Sequence, residues 1–164
     1  MSPPWSTPLE IDRLADGGAD VDFAVPLAEL PGLRARAGLG GSVSGRAHFS
    51  RVAGTAVAEL TLHGSATLEC QRCMQPMQLP IDGRARVGLI GSEAELARVP
   101  EELEPMLAAG GRISIGELIT EEMLLSLPIV ALHAPRDCRA ALDAPAEGEA
   151  THKPFARLGE LWKR

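Results

Sequence analysis

Tyrosine is absent from this 164-residue chain, and aromatic residues make up only 3% of it. A stacking platform for single-stranded RNA needs a row of exposed rings, so this scarcity argues against one. Cysteine is scarce as well. Three residues are an odd number with no disulfide framework, which fits a reducing compartment. Long apolar runs are missing too: "MLLSLPIVAL" (123–132) contains Pro128 and falls far short of the ~20 residues of a membrane-spanning helix. The opening "MSPPWSTPLEIDRL" has no basic segment leading into an apolar core, so no secretory signal is read there. We therefore expect a cytoplasmic protein with no membrane partner.

Catalytic signatures are equally sparse. The chain has no G-x-S-x-G elbow and no H-E-x-x-H motif. "GLGG" (38–41) lacks a third glycine and leads into a strand-like pattern, which is wrong for a nucleotide loop. His48 and His63 lie in strand-like runs and read as surface or core residues. Glu121 and Glu122 are helix neighbours that point in different directions and read as a solvated face. The expectation is a non-enzyme with no small-molecule substrate.

What is present is uneven charge. The net charge is −6, yet residues 31–90 carry seven arginines (Arg34, Arg36, Arg46, Arg51, Arg72, Arg84, Arg86) against three acids. Residues 1–30 balance at −5, residues 91–134 at −6 and residues 151–164 at +3. Overall acidity disfavours broad phosphate binding and favours a basic protein partner. The arginine-rich middle keeps a local RNA contact open.

Hydrophobic patterning gives the organisation. "LEIDRL" suits an initial strand, and "VPLAELPGLRARA" (25–37) a short helix or irregular segment. Val43–Arg51 and Thr55–Cys70 alternate as strands, and Met77–Ile90 reads as a strand or a hairpin, with Gly83 at a turn or bulge. Residues 93–112 read as an acidic loop with a helical turn. "SIGELITEEMLLSLP" then opens on Ser114 with Glu117 three residues later, a capping box, and closes at Pro128. Nothing alternates strand with helix as a parallel sheet requires. The predicted class is α+β: a small antiparallel sheet with one main helix over about 114–127 and a short C-terminal helix. Residues 1–134 form one domain carrying the C-x-x-C motif, 135–153 a flexible linker rich in Ala, Pro and Glu, and 154–164 an amphipathic tail with Phe155, Leu158 and Trp162 on one side.

The motif "TLECQRCMQPM" (67–77) holds Cys70 and Cys73. On a continuous strand, residues i and i+3 face opposite ways, so the pair can share a ligand only if the chain turns sharply at Gln71-Arg72. A redox pair would need Cys70 at a helix N-terminus, and the prolines that follow oppose a helix. His133 and Cys138 would complete a set of three cysteines and one histidine suited to zinc, although 59 intervening residues exceed ordinary finger spacing. Zinc, buried structural thiols and thiol redox chemistry all stay open on spacing alone.

Three blocks, "TLECQRCMQP", "EEMLLSLPIVALHAPRDC" and "KPFARLGELWKR", together resemble the YceD family of large ribosomal RNA subunit accumulation proteins, over roughly residues 9–164. The order of strands, C-x-R-C, acidic loop, Glu-rich helix ending in Leu-Pro, late cysteine and Pro-Phe tail is the same. The motif cysteines fall on Cys70 and Cys73, its arginine on Arg72 and the late cysteine on Cys138. The helix block falls on Glu121, Glu122, Leu124, Leu125, Leu127 and Pro128, and the tail on Pro154, Phe155 and Leu158. Lys153 departs from the Asn or Asp that many relatives carry there, and Ser114-Ile115 from a frequent Asp-Leu.

The resemblance implies a bacterial or plastid-type cytoplasmic protein needed for large-subunit ribosomal RNA to accumulate. It also raises the zinc reading, with Cys70, Cys73, His133 and Cys138 as ligands in a structural role. The expected partner is a ribosomal protein or a pre-50S particle, held by acidic surface around Glu93–Glu104 and Glu117–Glu122, which includes Glu121 and Glu122; the tail residues Phe155, Leu158 and Trp162 either dock onto the parent domain or form a detachable helix that enters a partner's groove. The alternative is direct binding of large-subunit rRNA precursor through Arg72, Arg84 and Arg86.

Overall fold

The computed structural model describes residues 3–33, 39–134 and 138. Among the described residues seven strands and two α-helices form, and the expected sheet is larger than a small antiparallel one. Five strands, β2 (Asp20–Pro26), β3 (Gly40–Val52), β4 (Thr55–Glu69), β5 (Pro76–Ile90) and β6 (Glu104–Leu107), lie side by side in chain order. The first four are antiparallel; β6 joins β5 in parallel. A separate two-stranded pair joins β1 (Leu9–Glu10) to β7 (Arg112–Ile113).

Local chemistry explains the turns. Val52 pairs with Thr55, leaving Ala53-Gly54 as a two-residue hairpin loop, and both have positive φ (48° and 85°). That is the primed turn whose twist matches the strands, and glycine makes its second position unstrained. Gly83 makes no turn: β5 runs straight through it, pairing Gly83 with Leu62. "LEIDRL" yields only the short β1, followed by helix α1 (Ile11–Gly17). The 25–37 segment finishes β2 and makes a 3-10 turn at Leu27–Glu29. The 93–112 segment opens with a 3-10 helix at Glu93–Arg98 and also supplies β6, which a loop reading missed.

Alternation along the strands separates two faces. Val43, Ala47, Phe49, Ala58, Leu60, Leu62, Ala66 and Leu68 are buried, and helix α2 (Ile115–Ser126) packs Ile115, Leu118, Ile119 and Met123 into the same core. Each large side chain among them contributes about 1.5–3 kcal/mol by leaving water. The predicted capping box forms: the Glu117 N–H donates to Ser114 Oγ at 3.2 Å and the Ser114 N–H to Glu117 Oε2 at 2.7 Å. After α2 the chain returns to the β4–β5 connection, where the Gln71 N–H donates to the Ala131 carbonyl at 2.9 Å. This return positions the site. The predicted C-terminal helix lies outside the described residues, as does the predicted linker apart from Cys138.

Candidate metal centre

The strand pairing Glu69–Pro76 leaves six residues, Cys70 to Gln75, as the β4–β5 loop. The Cys70 N–H donates to the Gln75 carbonyl at 2.9 Å, and the Met74 N–H to the Cys70 carbonyl at 2.8 Å. Met74 takes a left-handed φ of 57°. The chain thus folds into the sharp knuckle that a shared ligand demands, and Arg72 is exposed at its tip. Cys70 and Cys73 turn to one side, where the return segment brings His133 and Cys138.

The ligand atoms of Cys70, Cys73, His133 and Cys138 all lie within 4.8 Å of one another. Cys70 Sγ and Cys138 Sγ are 3.8 Å apart, and Cys73 Sγ is 3.3 Å from His133 Nδ1. A tetrahedral zinc ion with ordinary bond lengths sets such pairs about 3.8 Å and about 3.5 Å apart. All three cysteines are free, and a sulfur separation of 3.8 Å excludes a disulfide between Cys70 and Cys138. The His133 ring is oriented as well. Its Nε2 lies 3.1 Å from the Pro76 carbonyl oxygen, which can only accept, so Nε2 carries the hydrogen and Nδ1 turns its lone pair toward the sulfurs.

Electrostatics favour a thiolate at Cys70. Burial works to raise this thiol, but the backbone N–H groups of His133, Cys73 and Arg72 and the Cys73 thiol outweigh it and bring it down to about 5. The His133 N–H contact is 3.4 Å. Burial, then the neighbouring Cys73 and Cys70 side chains, push the Cys138 thiol up. Ionised together, sulfurs this close would repel one another, and a bound divalent cation would relieve that repulsion. Three sulfurs and one imidazole would suit zinc-like metals better than calcium or magnesium, and with four protein donors a bound ion would keep no position for a substrate. Cys70 follows the end of β4 and lies at no helix N-terminus, so the N–H groups of the knuckle, and not a helix end, lower its thiol.

The other predicted site residues do not gather into one patch. Arg84 and Arg86 lie on the solvent face of β5, where Arg86 pairs with Glu59 at 2.9 Å. Nearby on that face Arg46 pairs with Asp22 (2.7 Å), His48 with Asp20 (2.9 Å) and His63 with Asp82 (3.1 Å). The face is a lattice of opposite charges, a pattern invisible until the strand register is known. Arg34 and Arg36 lie outside the described residues. Glu121 is exposed on α2, while Glu122 accepts from Ser126 Oγ at 3.1 Å. Phe155, Leu158 and Trp162 lie outside the described residues. Sequence reasoning missed the clamp of Arg51 on Asp12 (2.9 Å) and Asp16 (2.7 Å), and also the Pro76 carbonyl that orients His133.

Residues 58–161 match the family model described as large ribosomal RNA subunit accumulation protein YceD. The chain belongs to the YceD family. A YceD protein of Haemophilus influenzae, named large ribosomal RNA subunit accumulation protein YceD, is 27% identical over 101 residues. Those residues are 57% of this chain and 58% of the relative, so the alignment spans less than two thirds of either. No solved structure matches the chain. The YceD match begins in β4 and includes all four residues of the cluster. The family name places the chain's relatives in the accumulation of large-subunit ribosomal RNA. Among the described residues no helix is long and apolar enough to cross a membrane.

Proposed function

We propose that this chain is a non-enzymatic factor for large-subunit ribosomal RNA accumulation, built around one structural zinc ion and acting by holding a basic ribosomal protein or pre-ribosomal particle. The observation that carries the zinc reading is the closed cluster of three cysteines and one histidine. The metal would join the β4–β5 knuckle to the segment following α2, and its role is to fix surface shape.

The partner surface is the acidic shelf over residues 93–107. Glu93, Glu101, Glu102 and Glu104 are exposed there, with the apolar side chains of Leu96 and Leu107 among them. Acids interleaved with exposed leucines suit a basic amphipathic partner. The α2 acids offer less: Glu117 is engaged by its cap and Glu122 by Ser126. Direct RNA binding through Arg72, Arg84 and Arg86 gains less support, because Arg86 is already paired with Glu59, as its neighbour on the sheet Arg46 is with Asp22.

Affinity capture from a native lysate, with and without nuclease, tests this reading. Recovery of a basic ribosomal protein that survives nuclease is expected. Recovery of large-subunit RNA, with every protein lost after nuclease, would replace the protein-partner reading with direct RNA binding.

A further inference from the structure

The outer side of α2 and the segment that follows it carry an uncovered row of apolar side chains, called the ridge below. Leu125 is 68% exposed, Ile129 91% and Val130 53%, with Leu124 and Leu132 also exposed. Glu117, Glu121 and Leu125 recur one turn apart and share a face, so acids border this ridge. Toward the N-terminal half of α2 lies a cavity of about 340 Å³ lined by Trp5, Pro8, Pro31, Gly32 and Thr120, with Glu117 and Glu121 in its wall. Five large apolar side chains left exposed within nine residues mark a binding site.

We propose that the occupant is the chain's own C-terminal segment, residues 154–164, docked within the same molecule. Three observations favour it over a separate protein. The first is pattern: Phe155, Leu158 and Trp162 are spaced i, i+3, i+7, one stripe of a helix. Eleven residues in that form span about 16 Å, close to the ~18 Å of the 12-residue α2. The second is charge, since residues 154–164 balance at +2 and the exposed Glu121 borders the ridge.

The third is reach. Cys138 is held beside Cys70, and the knuckle that carries Cys70 is bonded to Ala131 at one end of the ridge. Fifteen residues separate Cys138 from Pro154, and they can extend up to ~50 Å, well beyond the ~18 Å length of α2. A tether of this length gives an effective concentration of order millimolar, so contacts too weak to hold a separate peptide suffice. Docking would cover the most exposed leucines and isoleucine with aromatic rings and place Lys163 and Arg157 near the acids. The proposal goes beyond the ribosomal reading and needs neither the partner nor the metal to hold.

Trp162 is its natural reporter. In the full-length protein, the emission of Trp162, isolated by subtracting the Trp162→Phe spectrum, should be blue-shifted and several-fold less quenched by acrylamide than a free indole. Leu125→Glu with Ile129→Glu changes two exposed side chains and should release it to the red with full quenching, while far-UV circular dichroism loses no more than the signal of one short tail helix. Should that variant disturb the domain, Arg157→Glu with Lys163→Glu should give the same release from the tail side. Equal quenching in the parent and the variants overturns the proposal. So does shielding that disappears on dilution, which would mean exchange of tails between two copies, and so does shielding that appears only when a ribosomal protein is added.

Discussion

His133 and Pro76 are joined by a contact of 3.1 Å between the ring Nε2 and the backbone carbonyl oxygen. Because β5 begins at Pro76, the sheet itself sets which nitrogen of His133 faces Cys73. The ligand geometry is therefore a consequence of strand register.

Zinc retention follows from that geometry. Cys73→Ser or Cys138→Ser should lower zinc affinity by at least ~100-fold, because a hydroxyl replaces a thiolate in a four-ligand site. His133→Cys should retain one metal ion per chain, since four thiolates also make a structural zinc set. Competition with a chromogenic chelator reads both outcomes. Equal metal retention in all three variants would count against the assigned ligands.

Helix capping can be tested independently of metal. Ser114→Ala removes one member of the capping box and should cost about 1 kcal/mol in urea unfolding, with an unchanged slope. Ser114→Asp should recover most of that loss. Met123→Ala, at a fully buried position, should cost about 2–5 kcal/mol.

The sheet face and the acidic shelf should behave differently. Glu101→Gln, Glu102→Gln and Glu104→Gln combined should weaken capture of a basic partner, most strongly at low salt. Arg84→Ala with Arg86→Ala should leave capture unchanged. Its effect on stability should stay within about 1 kcal/mol, because the Arg86–Glu59 pair is exposed on both sides.

Much of this is legible in the sequence. The α2 boundaries, its cap and the strand alternation of β3 and β4 come from local signals, and "TLECQRC" followed by His133 and Cys138 already suggests a four-ligand set. The class, α+β, and the family resemblance both hold. Other features depend on register and long-range return. The parallel addition of β6 is carried by four residues with a proline among them, too few for a periodic signal. Arginine counts between 31 and 90 suggest a basic strip, but neighbouring strands answer two of them with acids: Arg46 meets Asp22 and Arg86 meets Glu59. The role of Pro76 is hidden because its carbonyl, not its side chain, makes the contact.

The most direct test of the account is the metal content of the purified, untagged, full-length chain, followed by thermal unfolding with and without a strong chelator. One zinc ion per chain, with a markedly lower melting temperature after removal and recovery on adding zinc back, is the predicted result. A chain that carries no stoichiometric metal and melts identically with chelator would contradict the structural zinc clip.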